Sequence, residues 1–231
     1  MNARLLLLFL SLPALASAQR FYTIEEHGFK VSTFAAPLFP KRTALPELSQ
    51  GSLDFSGYSV GLSVLIPKLE SWYWQAGIQF SNFRETYQSG KLNPGTTTPD
   101  SLPDRFRQID NFSFLDANFG FRYYLNPGKR LKFFIHPALA ASYSLTARRL
   151  QTTVYGDGKI EEFKGEPEDV SLRKFNVGVH FGGGAELLLH PTAAMFVEPV
   201  FFQQFLPAME KDGGTSRFYA WGIGGGFVFK L

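Results

Sequence analysis

Tyr219-Ala220-Trp221-Gly222-Ile223-Gly224-Gly225-Gly226-Phe227-Val228-Phe229-Lys230-Leu231 closes the chain and decides its fold. Tyr219, Trp221, Ile223, Phe227, Phe229 and Leu231 fall on one face of an extended strand. Ala220, Gly222, Gly224, Gly226 and Val228 fall on the other. Side chains alternate with period two along a strand, so one face is large and apolar and the other is small. In a water-soluble sheet the second face would meet solvent and carry polar side chains. Glycine weakens a strand and has no reason to face open water. A narrow barrel lumen, in which small residues make room for larger neighbours, accounts for the pattern, and the apolar face then points outward into lipid.

The pattern repeats upstream. Phe175, Val177, Val179, Phe181, Ala185, Leu187 and Leu189 alternate with Lys174, Asn176, Gly178, His180, Gly182, Gly184 and Glu186, so charge and glycine share the second face. Extended to the whole chain, this reading predicts an all-β, eight-stranded antiparallel up-and-down transmembrane β-barrel. Its strands lie near 28–36, 55–66, 72–87, 105–125, 131–147, 170–190, 194–207 and 215–231. Connections alternate between long (37–54, 88–104, 148–169) and short (67–71, 126–130, 191–192), as expected of a barrel with tight periplasmic turns and long extracellular loops. An even strand count leaves both termini on the periplasmic side. Pro137 and Pro199 fall inside strands and lack a ladder N–H, which predicts bulges there.

Composition agrees. Twenty-two glycines and 14 prolines punctuate many short elements, and 25 phenylalanines among 231 residues supply an unusual amount of apolar surface. Trp72, Tyr73, Trp74, Tyr123, Tyr124, Phe133, Phe227 and Phe229 gather near one set of strand ends, and Phe83, Tyr87, Phe175, Phe205 and Tyr219 near the other. Two interfacial aromatic girdles are predicted. No uncharged run is long enough for a transmembrane helix. The absence of cysteine excludes a disulfide scaffold and a zinc-cysteine site. A net charge of +3, without a long basic run, argues against nucleic acid.

The N-terminus reads separately. Arg4, a leucine-rich stretch over 5–12, Pro13 and then Ala16-Ser17-Ala18 predict a secretory signal peptide, residues 1–18, cleaved between Ala18 and Gln19. A short periplasmic segment, 19–27, then leads into the barrel domain, 28–231.

Several motifs carry no chemistry. Gly182-Gly183-Gly184 and Gly224-Gly225-Gly226 lack the lysine and helix of a phosphate loop. Asn111-Phe112-Ser113 is a chance sequon inside a strand. His27, His136, His180 and His190 have no metal-ligand spacing, so no metal or cofactor is expected. His180 with Ser142, Ser144 and Thr146 on the preceding strand is the one local imitation of a hydrolytic site. Inward parity instead gathers Asp116, Arg122, Lys132, His136, Lys174, His180, Glu186 and Glu198 into a lumen charge network of alternating sign. An eight-stranded lumen is only wide enough for side chains to fill, so paired charges are expected to plug it.

With its signal peptide, its loop alternation, Phe196-Val197-Glu198-Pro199 and the ending Gly226-Phe227-Val228-Phe229-Lys230-Leu231, the chain resembles small outer-membrane β-barrels. These are the eight-stranded class that includes OmpA and OmpX, and more closely the PorT-like barrel family of Bacteroidota. The resemblance implies a place in the outer membrane. It also implies that Gly226, Phe227, Phe229 and Leu231 form an assembly signal read by the barrel assembly machinery. Gly224, where a polar residue is usual, and Leu231, where phenylalanine is commoner, depart from that signal. The expected function is non-enzymatic, carried by the loops toward an extracellular or envelope partner. The alternatives are a lipid A-modifying or protease-like barrel enzyme and a soluble secreted lipocalin-like binding barrel.

Overall fold

The computed structural model describes residues 28–42, 51–89, 103–165, 172–211 and 214–231. The predicted signal peptide with its Ala18/Gln19 cleavage point and the whole of the 19–27 segment lie outside the described residues. Among the described residues eleven strands follow in order: β1 (Lys30–Arg42), β2 (Gly51–Leu69), β3 (Trp72–Ser89), β4 (Pro103–Tyr124), β5 (Leu131–Tyr155), β6 (Ile160–Gly165), β7 (Phe175–His190), β8 (Ala193–Gln204), β9 (Met209–Lys211), β10 (Gly214–Ser216) and β11 (Phe218–Lys230).

Eight of them form one ring, each antiparallel to its neighbours, in the order β1-β2-β3-β4-β5-β7-β8-β11. The last strand closes on the first, with Lys30 opposite Lys230 and Val31 opposite Phe229. Closure leaves the ring without a free edge, so the backbone N–H and C=O groups of its strands pair within it. The strands β9 and β10 pair only with each other.

Strand positions follow the alternation closely where both faces are constrained and less well elsewhere. The fifth strand runs to Tyr155, and β6 pairs along its far end from Arg149 opposite Gly165 to Val154 opposite Ile160. The sequence reading treats this stretch as loop. The seventh strand starts at Phe175, later than expected, and the first extends to Arg42.

Neither proline makes a bulge. Pairing between β5 and β7 passes through Pro137 opposite Phe181 without a register change, while β4–β5 pairing lapses between Gly120/Ala138 and Tyr123/Ile135. Pairing between β11 and β8 likewise passes through Ile223 opposite Pro199. Each proline loses ladder bonds on one side only, and the intact neighbour holds the register. The ring's central bulge lies instead in β5, where the register against β4 shifts between Ser113 and Phe114, leaving Leu145 unpaired.

The outer wall is apolar around the ring. Leu62, Ile78, Leu139, Val197 and Ile223 are all exposed, Leu139 at 65% of its surface. A folded chain in water does not leave its largest aliphatic side chains uncovered on every strand. Aromatic rings border this belt: Trp72 stacks on Phe121 at 4.5 Å at the short-turn end, and Tyr58 lies 6.2 Å from Phe80 toward the other. Four residues assigned to the girdles by position alone have inward parity instead, Tyr87 among them near the long-loop rim. Tyr73, Tyr124 and Phe83 have inward parity and are buried.

Candidate functional site in the lumen

The inward side chains of the eight strands form layers. Nearest the long-loop end, Arg149 donates from Nε and Nη2 to the two carboxylate oxygens of Asp110 at 2.8 and 2.9 Å. Asp110 also accepts from Gln108 Nε2 at 2.8 Å. Below this fork lies an aromatic layer. The Phe218 ring sits 5.1 Å from Phe112 and 5.9 Å from each of Phe83 and Phe114. Leu38, Val200 and Phe202 complete this cluster.

A polar middle follows. Ser81 donates to Asp116 at 2.9 Å, and the rings of His136 and His180 lie 5.4 Å apart. Phe34 meets His180 edge-on at 6.4 Å. The ring of Phe34 also occupies the space a side chain at Gly224 would need. This is the lumen crowding that the glycine pattern predicts. Gly226 has a different reason: a Cβ there would strike the backbone carbonyl of Thr33 on β1, so glycine allows the closing strands to approach.

Toward the short-turn end the charges and rings interleave. Arg122 Nη1 lies 3.5 Å from Glu186 Oε2, and Tyr124 donates its hydroxyl to the same oxygen at 2.6 Å. The Arg122 guanidinium sits 4.3 Å from the Phe134 ring and 5.0 Å from that of Phe196. Lys132 is opposite Glu186 in the β5–β7 register, and Lys30 lies over Tyr73 at 4.3 Å. Burial makes such contacts worth making, because the face of a ring replaces part of the solvation that a buried cation loses.

Of the eight residues predicted for the lumen network, Asp116, Arg122, Lys132, His136, His180, Glu186 and Glu198 are buried in the barrel interior. Lys174 is not. It lies in a bend before β7 and is exposed, because the strand begins one residue later than its alternation suggests. The seven do not form one network. Arg122 and Glu186 meet directly; Asp116 bonds to a serine in a separate layer; and Glu198 packs beside Gly182 with its Oε2 making no hydrogen bond.

The lumen is therefore filled by two aromatic clusters as much as by charge, which corrects the expected plug of paired charges alone. The signal was present, since Phe112 and Phe114 share the inward face of Asp116. Asp110–Arg149 was missed because the bulge at Leu145 reverses parity: Ser142 and Arg149 both face inward although one is even and the other odd. Lys30 and the hydroxyl of Tyr124 were also missed.

The hydrolase-like set does not converge. His180 is opposite Ala138, whereas Ser142 is opposite Asn176, and Thr146 is exposed on the outer wall. Among the described residues no group of three or more His, Cys, Asp or Glu side chains is placed to hold a metal ion. Phe227, Phe229 and Leu231 face outward at the closing strand, and Gly226 faces Thr33.

No family model and no curated protein matches the sequence. Solved structures similar to the chain include the attachment invasion locus protein Ail of Yersinia pestis in complex with the heparin analogue sucrose octasulfate. It is 11% identical, with 87% of this chain and 99% of that one covered and a TM-score of 0.40. Neisserial surface protein A is 12% identical over 88% of this chain and 97% of that one, with a TM-score of 0.41. The outer membrane protein OprG of Pseudomonas aeruginosa is 12% identical over 89% and 97%, with a TM-score of 0.42.

Proposed function

We propose that the chain is a non-enzymatic β-barrel of the Gram-negative outer membrane, acting through its long-loop end on an external or envelope partner. The observation that carries this reading is the apolar outer wall, continuous around a closed ring and bordered by aromatic rings. From Trp72 to Phe80 it spans eight residues, which at about 3.4 Å per residue and a tilt near 40° gives about 21 Å of height, close to the belt of a membrane barrel. A soluble binding barrel would reverse the pattern, with a polar exterior and an apolar cavity. This one has a filled interior, with Asp116, Arg122, Lys132, Glu186 and Glu198 buried inside it.

Secretion with removal of residues 1–18, and delivery through the barrel assembly machinery by the Gly226, Phe227, Phe229 and Leu231 signal, complete the proposal. The subfamily that best fits the ending is the PorT-like one. The test is fractionation followed by electrophoresis with and without boiling. A closed barrel resists SDS until heated, so the unboiled protein from the outer-membrane fraction is expected to migrate differently from the boiled one. Equal mobility in both lanes, or recovery in the soluble fraction, refutes the reading.

A further inference from the structure

The outer wall carries a polar ladder directly above its apolar belt on β2 to β5. The top of the belt is the row Val60, Phe80, Leu115 and Tyr143. One rung above it lies the row Tyr58, Asn82, Ser113 and Thr146, with Asn82 Nδ2 donating to Ser113 at 2.9 Å. One rung further lies Ser56, Arg84, Asn111 and Arg148, adjacent in register across four strands and all on the outer face. Arg84 and Arg148 are exposed, and neither their side chains nor that of Asn111 makes a hydrogen bond or ion pair among the described residues. Among the described residues, the Asp54 carboxylate also stands on this face, opposite Thr86 and thus diagonal to Arg84.

We propose that Arg84, Asn111 and Arg148 form a binding site for the phosphate groups of an anionic lipid in the outer leaflet, resting on the membrane-spanning reading above. Height supports this. The row stands four residues above Phe80, about 10 Å along the membrane normal at a tilt near 40°. Guanidinium groups leaning back toward the belt reach the headgroup layer, which adds several ångströms beyond the hydrocarbon.

Chemistry supports it as well. An arginine offers a planar fork that holds phosphate through two parallel N–H donors, and the Asn111 amide adds a donor between the two forks. Two strand spacings separate Arg84 from Arg148, about 10 Å, so the row is suited to a headgroup carrying two phosphates. A soluble anion would gain only the charge contacts. A lipid also covers Phe80, Leu115 and Tyr143 with its chains, and this continuity of the basic row with the apolar belt favours the lipid.

The test is native mass spectrometry of the full chain in detergent, titrated with diphosphoryl lipid A, with phosphatidylcholine and with inorganic phosphate. The variants are Arg84→Gln/Arg148→Gln and a charge-matched control at the opposite rim, Lys68→Gln/Lys129→Gln. The arginine double variant is expected to lose about 30-fold in affinity for diphosphoryl lipid A, at roughly a factor of five per cation near a charged surface. The control should stay within about twofold on the same reasoning, its cations lying outside the row. Equal losses in both variants mean diffuse attraction and overturn the site. Comparable binding of inorganic phosphate overturns the lipid as occupant, as does comparable binding of phosphatidylcholine. The boiled and unboiled mobility of every variant is recorded in parallel. A wild-type chain that shows no heat shift fails as a membrane barrel, whereas a heat-modifiable wild type that binds no lipid A fails only at this site.

Discussion

Phe218→Ala removes the ring on which the upper lumen layer converges. The side chain is 1% exposed, and its ring is within 5.1 to 5.9 Å of three others. Truncating a buried phenylalanine costs about 3 to 5 kcal/mol, through lost transfer free energy and an unfilled cavity. The barrel wall is held by its ladder and cannot collapse into the gap, which puts the expected loss in the upper half of that range. Urea unfolding in detergent, followed by the fluorescence of the wall tryptophans, measures it. The same variant is expected to remain non-conducting in a planar bilayer, since Tyr73, Tyr124, Phe134 and Phe196 still close the lower layer. A loss under about 1 kcal/mol would mean that the four rings do not form a packed layer, because surface-like substitutions fall in that range. Stable unit conductance from the wild-type protein would refute lumen closure itself.

Glu186→Gln leaves Arg122 buried without the carboxylate it meets and is expected to cost about 3 to 5 kcal/mol, whereas Glu186→Leu with Arg122→Met, which removes the pair together, should cost clearly less. A double variant worse than the single one would refute pairing. Val179→Asp, on the outer wall, should impair folding far more than Gln75→Asp, which faces the lumen beside Ser63; aspartate at the bilayer midplane costs less than the roughly 2 to 4 kcal/mol of a basic residue, yet Gln75 has polar company. Comparing folding yields in lipid vesicles checks this, and the reverse order would mean that inside and outside are exchanged. At the β5–β6 tip, hydrogen bonds from Lys159 and Tyr155 hold Glu161 below its ordinary value, and the same carboxylate raises Lys159. The contribution of Glu161 is thus complete above 4.5 and lost as pH falls through its lower folded value, while that of Lys159 is complete below 10.5 and lost as pH rises past its higher one. Protection of the turn amides, taken as the intrinsic exchange rate at each pH over the observed one, should be greatest between these limits, and a flat protection profile would refute the contact.

What the sequence made legible follows from where the physics is strict. On β7, β8 and β11 every second residue meets the outer wall and must be apolar, so the alternation of Val177, Val179 and Phe181, or of Trp221 and Ile223, could be read directly. Beyond Ala147 neither face of β5 lies in the belt. The apolar constraint ends, and the strand with its partner β6 reads as polar loop. The bulge at Leu145 was unreadable for another reason: a bulge is a property of two strands in register, and the β4 sequence opposite it shows nothing unusual. That single shift hid Arg149, and with it the ion pair to Asp110. Aromatic girdles were over-counted because nearness to a strand end was used without parity, which separates Trp72 and Trp74 on the wall from Tyr73 between them in the lumen.

The layering assigns different tasks to the two ends. At the short-turn end, Lys30, Arg122 and Lys132 lie over the rings of Tyr73, Tyr124, Phe134 and Phe196, and Arg122 also meets the carboxylate of Glu186. At the long-loop end the barrel is sealed by apolar rings, and its polar groups lie above the seal in the Asp110–Arg149 fork or outside it along Arg84, Asn111 and Arg148. A sealed lumen offers no path for a solute, and its charges are engaged or enclosed where nothing from outside reaches them. On the proposed function, recognition falls to the surface above the belt. There β2 to β6 rise past the apolar wall as a sheet, with arginines on its outer face and Ile160 and Phe163 exposed on its last strand.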